Sequence, residues 1–339
     1  FGSRQAPAGK ATEATAPEGD VHMRRPWLSI WDAFCCCSAP LSGGCEECAI
    51  YVLSAHIPED ELGSRISHTT EDDSPWSAWG ILARLLPTYA TEVLSVFHGR
   101  PKGGLCTQSL LAVLQREGHG EEAVGSLRTM TFSELLRGMH HVVTCAGFPS
   151  TILTLRSSFN VSGSDAPCCV AQALPSAKEC GDEPRALLVG ICYTDSPDWK
   201  LNGSWNDIFD LRSWLVSELQ WPESSVCLLT DRSGSDLQPT RENILRQFEW
   251  LVADEDGCAG DGRGCRLFHF CGHGGDGELY PVDWETAGAI TGGHLAKTVA
   301  RHLRKGTTFT CILDCCESSS LFRTLCYELQ LPGTAAKCG

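Results

Sequence analysis

The chain has 339 residues, 42% of them hydrophobic and 20% charged, enough for one large core or two moderate ones. Its formal net charge of −15 argues against nucleic acid or an anionic membrane surface as partner and suits a basic substrate. No apolar run reaches the ~20 residues that span a bilayer. With no signal peptide at the start of a chain this long, the 20 cysteines are expected to be mostly reduced thiols of a cytoplasmic protein.

Residues 1–22 are rich in Ala, Pro, Gly and Glu and almost free of large apolar side chains, so they read as a disordered leader, which we extend to residue 34. Cys35-Cys36-Cys37 with Cys45 and Cys48 form a cluster that could hold zinc or carry a lipid, although no second ligand pair sits at finger spacing. Ala49–Ser54 is a predicted strand. Within the irregular stretch 63–100, Trp76–Leu86 is a candidate helix. Gly103-Gly104 precede an apolar helical run over Leu105–Leu114, and Thr131-Phe-Ser-Glu134 is a capping box that opens a helix to about Val143. Small residues, Pro and charge mark Gly163–Pro184 as a linker. It divides a first block, residues 35–162, from a second, residues 185–339.

The second block alternates strand and helix signals. Ala186–Cys192 is a continuous apolar run of strand length, and Ser225–Leu229, Arg266–Cys271 and Phe309–Leu313 read as three further short strands. Between them lie helical patterns over Asp207–Leu219, over Arg241 to about Val252 behind the N-cap Thr240, and over Leu295–Arg304 before Gly306. This alternation predicts an α/β fold, a three-layer α/β/α sandwich around a mostly parallel sheet.

His273 and Cys316 each follow the C-terminal end of a predicted core strand, the edge of an open parallel sheet where ligands bind. A thiolate is a nucleophile, and an imidazole beside it takes the proton, so the pair suits acyl transfer. Gly272, Gly274 and Gly275 let a substrate backbone approach closely, and the N–H groups of Gly274 and Cys316 are candidate oxyanion donors. Taken singly, His-Gly-Gly is a common turn and a strand-end Cys-Cys is common buried filler. Their matching positions carry the chemical reading.

The stretch Arg185–Leu325 resembles the large-subunit (p20-like) region of metacaspases, of the caspase-like clan. The resemblance rests on ALLVGICYT, Leu201-Asn-Gly-Ser-Trp-Asn-Asp207, LLTD at Leu228–Asp231, Pro239-Thr240-Arg-Glu-Asn243-Ile244, HFCGHGG at His269–Gly275, YPVDWETAG at Tyr280–Gly288 and DCCESS at Asp314–Ser319. More loosely, AIYVLSA, GGLCTQSLL, TFSELLRGM and GFPSTILTLRSS of the first block are similar to the small-subunit (p10-like) region. That order, small before large, is similar to the type III metacaspases of algae and related protists. The resemblance implies a caspase-like fold and a cysteine endopeptidase with a role in stress or programmed cell death signalling. It also implies His273 as base, Cys316 as nucleophile, and protein or peptide substrates cleaved after Arg or Lys by a monomer. The acidic primary pocket would be Asp207 and Asp314, with Ser204 and Cys271 completing the wall. The reading from residues alone keeps Asp207 open as a first-turn helix carboxylate. Asp314, beside the nucleophile, needs a partner that a substrate guanidinium would supply.

Three positions depart from that pattern. Glu317 follows Cys316, and a carboxylate turned inward there would raise the thiol's pKa, so the alternative is a weakened caspase-fold pseudoenzyme acting as a protein-binding module. The resemblance implies calcium activation, but the acidic loop is reduced to Asp276-Gly-Glu278, and Thr291-Gly292-Gly293 stands where an Asp pair is expected. Six to eight oxygen ligands cannot be assembled from these, so no cofactor is expected with certainty and no metal ligand is assigned. Cys271 is either a buried wall residue or one arm of a redox lock on the nucleophile. Lys178 and Arg185, near the linker, are candidate self-cleavage sites on grounds of exposure.

Overall fold

A computed structural model describes residues 48–56, 103–116, 118–161, 168–235, 237–253, 264–316, 321–322, 325 and 327–330. The leader, Cys35–Cys37, Cys45, Trp76–Leu86, Cys258 and Glu317–Ser319 lie outside the described residues, and so do the expectations attached to them.

The first block supplies β1 (Ala49–His56), α1 (Leu105–Arg116), α2 (Glu121–Thr129), α3 (Phe132–Cys145) and β2 (Ile152–Ser157). The capping box forms as expected. Thr131 Oγ1 accepts from the Glu134 N–H while the Glu134 carboxylate accepts from the Thr131 N–H. Helix α2 was not foreseen. It starts at Gly120 without a side-chain cap and carries Gly125 in its middle, so the burial of Ala123 and Leu127 is what holds it.

The second block contributes β3 (Arg185–Gly190), α4 (Ser204–Ser217), β4 (Val226–Thr230), α5 (Arg241–Val252) and β5 (Cys265–Cys271). There follow β6 (Gly274–Gly275), β7 (Glu278–Leu279), α6 (Trp284–Ala287), β8 (Ile290–Thr291), α7 (Gly292–His302), β9 (Thr308–Asp314) and β10 (Tyr327–Gln330). Thr240 caps α5 by accepting from the Asn243 N–H. The two-residue strands β6 to β8 are too short for any periodicity to reveal.

Seven strands form one sheet in the order β10-β2-β1-β9-β5-β3-β4. Strands β1, β9, β5, β3 and β4 run parallel, while β2 is antiparallel to β1 and β10. The expected α/β sandwich is therefore built from both blocks, with β1 of the first hydrogen-bonded to β9 of the second. Strand alternation sorts the core into two faces. Tyr51, Leu53, Ala186, Leu188, Leu267 and Ile312 pack with α1 to α4. Ile50, Val52, Leu187, Val189, Phe268, Phe270 and Leu313 pack with α5 and α7 on the other side. The same parity in β5 and β9 turns His269, Cys271 and Asp314 toward the α1–α4 face.

Residues 168–184, between the blocks, are packed against the sheet. Thr310 Oγ1 donates to the Ala173 carbonyl at 2.5 Å, Trp221 Nε1 to that of Pro175 at 2.9 Å, and the Ala177 N–H to that of Leu219 at 2.8 Å. Cys180 and Cys265 form a disulfide that ties this segment to the start of β5. These two thiols are therefore oxidised in a chain whose 20 cysteines are expected to be mostly reduced. Arg185 is corrected as a self-cleavage candidate. Its backbone opens β3 between two neighbouring strands, and its guanidinium donates to the Trp250 and Ala253 carbonyls. Lys178 is exposed in a turn. No helix among the described residues is long and apolar enough to cross a membrane.

The blocks also meet closely at the start of α1. A Cβ on Gly104 would come within 2.2 Å of the Asp314 carboxyl carbon. Gly104→Ala is therefore expected to lower the unfolding free energy by about 2–3 kcal/mol, read from urea denaturation, because neither backbone nor carboxylate can yield without losing hydrogen bonds.

Candidate active site

Strands β5 and β9 are parallel neighbours with Cys271 in register with Asp314. His273 and Cys316 each lie two residues beyond that pair, and the Gly272 N–H donates to the Asp314 carbonyl at 3.2 Å, so the strands stay in register past their last pair. Equal offsets from one register pair bring the two predicted residues to the same sheet edge. Cys316 is exposed, while its neighbour Cys315 is buried with its thiol pushed well above the usual range by burial and by Asp314. Of the two strand-end cysteines, Cys316 is the one whose side chain is open to the surface.

The imidazole of His273 is held from several sides. Nε2 lies 2.8 Å from the Trp199 carbonyl oxygen. A carbonyl can only accept, so Nε2 carries the hydrogen and Nδ1 is left as the basic nitrogen. The ring packs against Tyr193 at 4.8 Å and against Trp199, edge to face, at 5.0 Å. After His273 the chain enters the β6–β7 hairpin, where the Tyr280 N–H donates to the His273 carbonyl. That bond makes Gly274 and Leu279 the non-hydrogen-bonded pair of the ladder and turns the Gly274 N–H away from β7.

The four predicted pocket residues also come together. Cys271 Sγ donates to Asp207 Oδ2 at 3.1 Å and is hydrogen-bonded to Ser204. Cys271 thus faces Asp207 as a wall residue, its thiol pushed up by burial first and by the two carboxylates next. Asp207 and Asp314 point at the start of α1, where chain composition alone could not have placed them. Asp207 accepts from the Gly104 N–H at 2.7 Å and Gln108 Nε2 at 2.6 Å. Asp314 accepts from the Cys106 N–H at 3.0 Å and the Thr107 N–H at 2.6 Å. The expectation that Asp314 awaits a substrate to pair with is thereby corrected. The orphan N–H groups of α1 already engage it, as carboxylates engage helix N-termini generally. These donors are neutral dipoles, however, and among the described residues no Lys or Arg forms an ion pair with either carboxylate. Burial pushes Asp207 up to about 7, with the nearby Asp314 adding to the rise, and burial also raises Asp314.

Beneath the pair, Thr107 Oγ1 lies 2.7 Å from His269 Nε2. Burial drives His269 down to about 3, so that imidazole is neutral and part of the core. Gly104, Thr107, Gln108, Tyr193 and the Trp199 carbonyl are the site members that sequence reasoning missed. Tyr193 is the penultimate residue of the ALLVGICYT segment, Trp199 precedes the Asp207 motif and the others begin or follow at Gly104, but only the tertiary packing shows whom they face.

Calcium does not fit the described residues. Thr291 Oγ1 is used as the α7 N-cap, accepting from the His294 N–H. A Cβ on Gly292 would meet the Leu321 carbonyl oxygen at 1.9 Å, leaving no room for a carboxylate side chain. Among the described residues there is no group of three or more His, Cys, Asp or Glu that could hold a metal ion.

Residues 184–324 match the family described as "Metacaspase, peptidase C14 domain". The chain is 35% identical over 156 residues to Metacaspase-1A of Neurospora crassa, a stretch covering 42% of this chain and 33% of that protein. It is 34% identical over 155 residues to Metacaspase-1B of Aspergillus terreus, covering 42% of this chain and 39% of the relative. The chain thus spans between a third and two fifths of the length of these curated relatives. The matched segment contains β3, β5 and β9 together with His273, Cys316, Asp207 and Asp314. Over residues 184–324 this chain carries a metacaspase peptidase C14 domain.

Proposed function

We propose that the protein is a cysteine endopeptidase that cleaves after Arg or Lys, with Cys316 as nucleophile and His273 as general base. The observation that carries this reading is the equal offset of the two residues from the Cys271–Asp314 register pair, at the sheet edge above two buried carboxylates. In the first step, His273 Nδ1 takes the proton from Cys316 Sγ, and the sulfur attacks the carbonyl carbon of the scissile bond. The N–H groups of Gly274 and Cys316 receive the oxyanion. The imidazolium then gives its proton to the leaving amine, and water hydrolyses the thioester with His273 again as base. The first block acts as the small-subunit counterpart, supplying β1 and the α1 donors that hold the pocket.

A peptide with Arg at the cleaved position, offered in reducing buffer with and without a calcium chelator, tests this directly. Hydrolysis after Arg but not after Asp, unchanged by the chelator, is the expected result. An absence of turnover under every condition favours the protein-binding alternative.

The pocket adds a pH signature. Burial and the nearby Asp314 raise the Asp207 carboxyl, so it takes up a proton at higher pH than a free carboxyl does, and a neutral carboxyl attracts a guanidinium far less than a carboxylate does. KM for the Arg peptide, and the inhibition constant of a simple alkylguanidine, are expected to rise as pH falls from 8 to 6. Asp207→Asn, with no titrating group at that position, should flatten both profiles and leave them at the weaker, low-pH level.

A further inference from the structure

We propose that Tyr193 is a positioning residue for His273, holding its backbone and ring in place through a strained turn at the end of β3. The inference rests on His273 being the base. Tyr193 has φ +51°, the left-handed region that a bulky L residue rarely enters. Its side chain is buried, and its hydroxyl is shared between two loops. It accepts from the His273 N–H at 3.0 Å and donates to the Tyr280 carbonyl at 2.5 Å. The phenol ring lies 4.8 Å from the imidazole, tilted by 44°.

The strain is held by its surroundings. Asp231 accepts from the N–H groups on both sides of Tyr193, from Cys192 at 2.9 Å and Thr194 at 3.2 Å, and also from Trp205 Nε1 at 2.7 Å. The left-handed turn then reverses the chain, with the Ser196 N–H donating to the Tyr193 carbonyl and the Leu201 N–H to that of Cys192. This closed loop carries Trp199, whose carbonyl takes the Nε2 proton of His273. One residue therefore sets three things: the height of the His273 backbone, the face of its ring, and the loop that fixes its tautomer. An ordinary buried tyrosine needs one partner for its hydroxyl and no unusual φ.

Tyr193→Phe keeps the ring and deletes the shared oxygen. With sites counted by titration with an Arg chloromethyl ketone, kcat per site is expected to fall about tenfold to a hundredfold. KM should not change, because Asp207 and Asp314 are untouched. Tyr193→Leu, lacking the ring as well, should fall further at the same KM. A second readout needs no turnover. In protein labelled with ¹⁵N-histidine, the Nε2–H resonance assigned by its loss in His273→Ala should be sharp in the parent and broadened in Tyr193→Phe. If Tyr193→Phe retains the parental kcat per site, or raises KM instead, or leaves that resonance unchanged, the positioning role is wrong. A parent protein without turnover but with the predicted change in the resonance overturns the peptidase reading alone.

Discussion

Cys316→Ala is expected to reduce hydrolysis of an Arg peptide by about 10⁴-fold or more, leaving the thermal unfolding midpoint where it was. In the proposed mechanism the reaction passes through a bond to Sγ, and the neighbouring thiol does not substitute. Cys315 is one residue away but buried, with its thiol held protonated by burial and by Asp314, and its sulfur lies against Gly274. Cys316 is exposed, so truncating it to Ala costs little packing energy. His273→Ala should lose activity to a similar extent, and the double variant should be no worse than either, since base and nucleophile act as one unit. Turnover surviving in Cys316→Ala would falsify the assignment of the nucleophile. Loss of turnover together with loss of folding would instead point to a structural defect, which the unfolding midpoint distinguishes.

Asp314→Ala is expected to damage both stability and specificity. Its two oxygens accept the Cys106 and Thr107 N–H groups, so removing them leaves two buried donors of α1 unpaired where the first block docks on β9. Against this stands the relief of no longer burying a carboxylate that is itself disfavoured there. The net loss should be about 2–3 kcal/mol in urea denaturation. In the proposed pocket the same substitution removes one of the two carboxyl groups that would meet a basic substrate side chain. A fall in kcat/KM of about 100-fold is expected for an Arg peptide, with little change for a peptide bearing norleucine at that position. Equal losses for both peptides would mean that Asp314 only braces the fold and does not read the substrate.

Much of the second block was legible in the sequence because its signals are local. Strands β3, β5 and β9 are largely apolar runs buried on both faces, and α5 begins at the N-cap that Thr240 announces. Both His273 and Cys316 could be picked out because each follows such a run. Helix α2 and strands β6 to β8 were not legible. The first has glycines where a cap and a stripe should be, and the others are shorter than any period. The Cys180–Cys265 pairing joins residues 85 apart, a separation that no spacing rule connects.

The dyad on which these expectations turn divides along the same line. Sequence by itself determined that a histidine and a cysteine end two core strands, because apolar runs and glycine turns are properties of neighbouring residues. Only the tertiary structure decided that those strands are adjacent and in register, so that equal offsets place the two side chains at one edge. It also decided what Asp207 and Asp314 face. The start of α1 and the glycine before it, some hundred residues before Asp207, meet the end of β9 and the first turn of α4 and offer their N–H groups to both carboxylates. Helix ends seek acceptors wherever packing brings them, and packing is set by the whole sheet rather than by any local stretch of chain.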